Sequence, residues 1–350
     1  MINFLKELKK QPQNKINRWS GAYKTLVSPD SYEGVPRKEI WKLNKATLWH
    51  YRPENKKYSV PIFLVYSIIN QPFILDLAPG SSLIQAFMDN GYEVYLLDFG
   101  CPGFEDKDLS LNDYITKYIQ KGVQRALAHS KADEMTIMGF CLGGTLAAIY
   151  TSIAEEPIKN LILSLTPINF QYFPPFDQWV DTFVKDEVDV APILDSVGLI
   201  PPSLVQGGIR LITTPVYYSP YLSLINRAYD EQYNIKWSRL NLWTKSHIPI
   251  SGAALNQLAN DLVKENKLIN GGLEVNEKHA HLKNINANML VIGSSYDKLV
   301  PIEQITPIMD LVSSKDRTFH LLTGGHANIP NNGQLPSYLT EWLPARSNPI

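Results

Sequence analysis

The stretch EMTIMGFCLGGTLAAIY, residues 134–150, joins an apolar run of strand length to a helix rich in small residues through one tight turn. Gly139-Phe140-Cys141-Leu142-Gly143 within it has the G-x-nucleophile-x-G form of a nucleophile elbow. Glycines two before and two after the nucleophile let neighbouring backbone approach that turn closely. The amides at the start of the following helix then point at whatever the nucleophile attacks. The expectation is that Cys141 sits exposed on the elbow, favoured there as thiolate. A free cysteine is more often a small buried hydrophobe, and that is the reading preferred for Cys101 in DFGCPG.

Working outward, similar runs recur: IFLVYS (62–67), EVYLLDF (93–99), EMTIMGF (134–140), NLILSLT (160–166), NMLVIGS (288–294) and TFHLLTG (318–324). Most are near-continuously apolar, as strands buried on both faces are, and helical periodicity fills the spaces between them. The fold class is therefore α/β, a mostly parallel sheet flanked by helices. SLNDYITKYIQKGVQRALAHS (110–130) reads as a crossover helix, with Ile115, Tyr118, Ile119 and Leu127 on one stripe and Ser110 and Asp113 spaced as a capping box. From about 169 to 251 the rhythm gives way to aromatic, proline-broken text. This predicts an inserted, mostly helical cap over 169–251, a core of 41–168 and 252–350, and an amino-terminal arm or helix over 1–40.

Thirty-three basic and 34 acidic side chains leave a formal net charge of -1, so no global field argues for nucleic acid, and a small-molecule or protein partner is expected. Two cysteines without paired spacing make neither a disulfide framework nor a cysteine zinc site, which fits a reducing cytoplasm. The start, MINFLKELKKQPQNKINRW, lacks the apolar centre of a secretory signal. The longest apolar region, 60–78, is broken by Pro61, Asn70, Gln71, Pro72 and Asp76, so no transmembrane segment is expected. No metal is expected either.

A nucleophile needs a base and a group that orients it, in the chain order nucleophile, acid, histidine. Asp297, in the polar turn after NMLVIGS, and His326, after two glycines that follow TFHLLTG, satisfy that order at the carboxyl edge of the sheet. The other histidines are weaker candidates. His320 lies inside an apolar strand, His279 and His281 in a polar loop, and His50, His129 and His247 lack a glycine turn to project them. Asp76 and Asp98 rival Asp297 but precede the nucleophile; their bland roles are to cap a helix and to hold a loop. For the oxyanion hole, the backbone N–H of Leu142 is expected, with a second donor near Ile69 or Asn70 in the loop after the first core strand.

The choice of thiol points to the acyl group handled. A serine ester formed from a thioester lies well downhill and is a poor donor for the next transfer, whereas a cysteine thioester stays close in energy to the incoming one. GFCLGGT, LDLAPGSSL, LLDFGCPG, DYITKYI, GSSYDKLVP and GGH together resemble the catalytic subunit of a polyhydroxyalkanoate synthase, most closely the short two-subunit kinds, classes III and IV. The likeness covers about 41–326; Asp98-Phe99-Gly100 stands where D-W-G is frequent in that family, and 327–338 matches less well.

That resemblance implies an α/β-hydrolase fold with a cap, and polymerisation of (R)-3-hydroxyacyl-coenzyme A into polyester with release of coenzyme A. It implies no cofactor beyond that thioester substrate. Cys141 would carry the acyl chain, His326 would deprotonate the thiol or the incoming hydroxyl, and Asp297 would orient His326. It further implies a small second subunit, a homo- or hetero-oligomer, and residence on cytoplasmic polyester granules. Two rivals remain open: a thioesterase or dienelactone-type hydrolase with a cysteine nucleophile, and a scaffold with a vestigial site.

Overall fold

Alternate residues of the apolar strands part to opposite faces of one sheet, so Phe63, Ile137, Leu161 and Val291 enter one buried layer and Ile62, Met138, Ile162 and Ile292 the other. The computed structural model describes residues 32–172, 197–217, 230–326 and 333–350. Its main sheet consists of β1 (Lys38–Leu43), β2 (Ala46–Tyr51), β3 (Ile62–Val65), β4 (Val94–Asp98), β5 (Met135–Phe140), β6 (Ile158–Ser164), β7 (Asn288–Ser294) and β8 (Arg317–Leu322). These lie in the order β1-β2-β4-β3-β5-β6-β7-β8. The pairings β1 with β2 and β2 with β4 are antiparallel, and the rest are parallel. Chain order reverses at β3, which has β4 on one side and β5 on the other, and this opens a crevice at their carboxyl ends.

The six expected strands all form, 288–294 with the expected bounds and the other five trimmed or shifted at their ends. The hairpin β1–β2 was not anticipated. Its first strand, KEIWKL, is half exposed and carries no continuous apolar run, and the turn is made by Asn44 at φ +51°.

The crossover helix starts as expected: Ser110 Oγ accepts from the Asp113 amide at 3.1 Å, and the Ser110 amide donates to Asp113 Oδ2 at 3.0 Å. It then runs through a π-helical stretch, Tyr114–Gln120, before α2 (Lys121–Ser130), following α1 (Leu83–Asp89). Ile115, Tyr118 and Ile119 are buried and Leu127 is partly so. Helix α3 (Leu142–Ile153) is buried along most of its length, which its glycines and alanines permit.

Within 169–251 the described residues form α4 (Pro202–Tyr217), α5 (Glu231–Trp243) and a short antiparallel pair, Leu199–Ile200 with Ile250–Ser251. The remainder of the expected cap, 173–196 and 218–229, and residues 1–31 of the expected arm lie outside the described residues. Asp76 caps no helix with its carboxylate; it accepts from the Tyr32 hydroxyl at 2.8 Å and the Val35 amide at 2.6 Å, fastening the segment that leads into β1.

Candidate active site

Cys141 follows β5 at φ +52°, ψ −131°, a backbone conformation that costs an L-residue on the order of 1–3 kcal/mol. The surroundings hold it there. Its amide donates to the Ser164 carbonyl at 3.0 Å, and its own carbonyl accepts from the Gly144 amide at 2.9 Å. A Cβ on Gly139 would lie 2.4 Å from the Gly144 Cα, and one on Gly143 would lie 2.3 Å from the Tyr66 carbonyl oxygen. The elbow is thus wedged between the carboxyl ends of β3 and β6.

Cys141 is 8% exposed, not open to solvent as expected from the elbow alone. It lines a cavity together with His326, Tyr66, Trp243 and Tyr338. Aromatic residues far apart in the chain share that cavity, so the elbow alone carried no sign of it. Cys101 departs the other way. It is exposed in the loop after β4, while Asp98 holds that loop through the Gly100 amide at 2.9 Å.

The expected partners meet at the ends of β7 and β8. Asp297, 6% exposed, accepts on Oδ1 from the amides of Leu299 and Val300, each at 2.9 Å. Its Oδ2 stands 2.7 Å from His326 Nδ1. The two loops are sewn together by the Ser294 hydroxyl and the Tyr296 amide, both donating to the Gly324 carbonyl. Burial disfavours the imidazolium, but the charges of Asp297 and Cys141 and hydrogen bonds to both outweigh it. The pKa of His326 therefore rises well above 6.5. With Nδ1 committed to Asp297, Nε2 is the nitrogen left for Cys141.

Sequence reasoning missed Tyr66 and Trp243. Burial, then the charge of Cys141, push the Tyr66 phenol well above its ordinary 10. It therefore stays a neutral hydroxyl beside the thiol. Its position at the exit of β3, just before the loop expected to serve the oxyanion, was the available signal.

Ile69 and Asn70, farther along that loop, do not line the Cys141 cavity. The Ile69 amide donates to Ser67 Oγ at 3.4 Å, and the Asn70 side chain donates to the Trp243 carbonyl at 3.1 Å. Trp243 Nε1 in turn donates to the Gln71 carbonyl at 3.0 Å, so the end of α5 clamps this loop. Leu142 is the first residue of α3, and its amide therefore lies outside the helical hydrogen-bond ladder.

The remaining histidines lie elsewhere. His320 stacks on Tyr338 at 4.5 Å between ring centroids, and His279 pairs with Glu274 at 3.3 Å. His247 forms a bridge with Asn70, and His50 and His129 cluster with Glu93.

Comparison with known proteins fits this geometry. The alpha/beta hydrolase fold family matches residues 74–332, which include Cys141, Asp297 and His326. The chain is 30% identical to the poly(3-hydroxyalkanoate) polymerase subunit PhaC of Haloarcula marismortui, over 89% of this chain and 68% of that one. The chain belongs to the poly(3-hydroxyalkanoate) polymerase family. The polymerase subunit of Haloferax mediterranei is also 30% identical, over 92% of this chain and 66% of that one. That of Allochromatium vinosum is 27% identical over 99% and 96%. The chain thus spans about two thirds of the haloarchaeal polymerase subunits and nearly all of the Allochromatium one. A thermophilic esterase from Thermogutta terrifontis, 12% identical with a TM-score of 0.50 over 90% of this chain and 100% of that one, shares the fold alone. Within this polymerase family, an acyltransferase family on a hydrolase frame, no described helix of this chain is long and apolar enough to cross a membrane.

Proposed function

We propose that this chain polymerises (R)-3-hydroxyacyl-coenzyme A into polyester through a thioester on Cys141. The observation that carries the reading is the shared cavity of Cys141 and an Asp297-held His326, in a chain of the polymerase family. His326 Nε2 takes the Cys141 proton as sulfur attacks the substrate carbonyl, and that proton leaves on the coenzyme A sulfur. His326 then takes the proton of a second unit's 3-hydroxyl, whose oxygen attacks the Cys141 thioester. An ester bond forms, the carbon–sulfur bond breaks, and the proton returns to Cys141. The Leu142 amide serves the oxyanion, with a second donor from the loop after β3.

The insertion that carries α4 and α5 acts as the cap, because water reaching the thioester would end the chain. Trp243 supports that role by pinning the loop after β3. The relatives' naming as subunits supports a second synthase subunit, and a water-insoluble product supports residence at polyester granules in the cytoplasm.

The test is coenzyme A release from (R)-3-hydroxybutyryl-coenzyme A, with and without a co-expressed second subunit, followed by product sizing. Thiol release with insoluble polyester is expected. Release with free 3-hydroxybutyrate alone would make the chain a thioesterase.

A further inference from the structure

At the amino edge of the sheet, away from Cys141, two histidines and a glutamate converge from three elements. His50 belongs to β2, Glu93 precedes β4, and His129 lies in the last turn of α2. One ring nitrogen of each imidazole and one Glu93 carboxylate oxygen all lie within 4.8 Å of one another. His50 Nε2 stands 2.7 Å from Glu93 Oε1, and the two imidazole centroids are 4.6 Å apart. His50 and Glu93 are buried, and His129 is exposed.

We propose that His50, Glu93 and His129 form a binding site for a divalent cation of the zinc class, unconnected with the catalytic triad. Two imidazoles and one carboxylate are a set that zinc takes at about 2.0–2.2 Å per bond, with a fourth position left for water. Ligands drawn from a strand, a strand entry and a helix end can close on such an ion with small side-chain movements. The exposed His129 marks both the entry path and the face where water completes the shell.

The neighbours suit a second layer around an ion. Lys56 Nζ holds the other oxygen of Glu93 at 2.8 Å, so the carboxylate presents a single oxygen. The Tyr95 hydroxyl lies 3.0 Å from Glu93 Oε1 and 2.8 Å from His129 Nδ1, fixing both groups. Lys56 also places a positive charge close to the site, which works against the ion. The imidazoles must therefore supply most of the binding, and this favours zinc over the oxygen-seeking magnesium or calcium. Bound there, the ion ties the carboxyl end of α2 to the β2–β4 pair, a structural role.

The experiment uses the full chain, stripped by a chelator and dialysed against zinc sulfate, with bound metal counted by mass spectrometry and Tm followed in parallel. One zinc per chain and a higher Tm are expected for the wild type and for Cys141→Ala. His129→Gln, a change at an exposed helix end, loses the zinc and the zinc-dependent Tm shift. Failure of the wild type to bind, retention of zinc by His129→Gln, or its loss in Cys141→Ala would each overturn the site. Cobalt(II) in place of zinc gives a readout independent of the variants. Visible bands of nitrogen and oxygen ligation without thiolate charge transfer are expected, and a thiolate band would place the ion on a cysteine instead.

Discussion

Asp297 meets His326 Nδ1 with Oδ2 at 2.7 Å while its Oδ1 is held by the amides of Leu299 and Val300. That division makes Asp297→Asn informative. The two amides require an acceptor, so the asparagine oxygen stays with them and its NH₂ faces His326. The imidazole must then carry its proton on Nε2 and present Nδ1 as acceptor, which leaves no base toward Cys141. A fall in turnover on the order of 10⁴-fold with little change in fold is expected. Circular dichroism and coenzyme A release measure the two; retained activity would remove Asp297 from the mechanism.

His326 also links the site to stability. Its pKa in the folded chain is raised, so its proton is held more tightly than in the unfolded chain, where the value is about 6.5. The stability this gives is complete below the unfolded value and is lost as pH rises through the raised folded one. Because the Cys141 charge contributes to the shift, Cys141→Ala brings the folded value down. In denaturant unfolding across pH, the variant is expected to finish losing this contribution at a lower pH than the wild type. Parallel curves would contradict the coupling.

Tyr66→Phe removes a neutral hydroxyl that feels the charge of Cys141 and keeps the ring that lines the same cavity. A hydrogen bond to a charged group contributes roughly 1.5–3 kcal/mol, so kcat is expected to fall about 10- to 100-fold, with KM little altered. Steady-state kinetics decide it; an unchanged kcat would reduce Tyr66 to packing.

Gly144→Ala tests the wedge. A Cβ there would lie 2.0 Å from Thr166 Oγ1, and such overpacking costs about 1–3 kcal/mol. Lower Tm and weaker activity are expected, and Thr166→Ala added to the variant is expected to recover part of both, since it deletes the atom in the way. Additive losses in the double variant would locate the strain elsewhere.

The residues that sequence could read are those whose physics is local. The elbow announces itself through Gly139 and Gly143, the buried strands through their uninterrupted apolar runs, and Ser110 with Asp113 through capping. Asp297 and His326 follow because strand ends on one edge of a parallel sheet converge, whatever the separation in the chain. What escaped depends on contacts across that separation. Cys141 shares its cavity with Tyr66, Trp243 and Tyr338, some 75 to 200 residues away in the chain. The hold of the Trp243 carbonyl on the Asn70 side chain joins residues far apart in the chain, the hairpin β1–β2 hides in mixed polarity, and His50 meets His129 only across the fold.

The central claim is a covalent acyl chain on Cys141, and the most direct measurement is peptide mass spectrometry of the wild type, Cys141→Ser and Cys141→Ala after acid quench with (R)-3-hydroxybutyryl-coenzyme A. One or more 3-hydroxybutyryl units are expected on the Cys141 peptide of the wild type, and none on Cys141→Ala. On Cys141→Ser a single unit is expected, persisting after substrate is removed because the ester is a poor donor. Acyl units on another residue, or polyester made by Cys141→Ala, would contradict it.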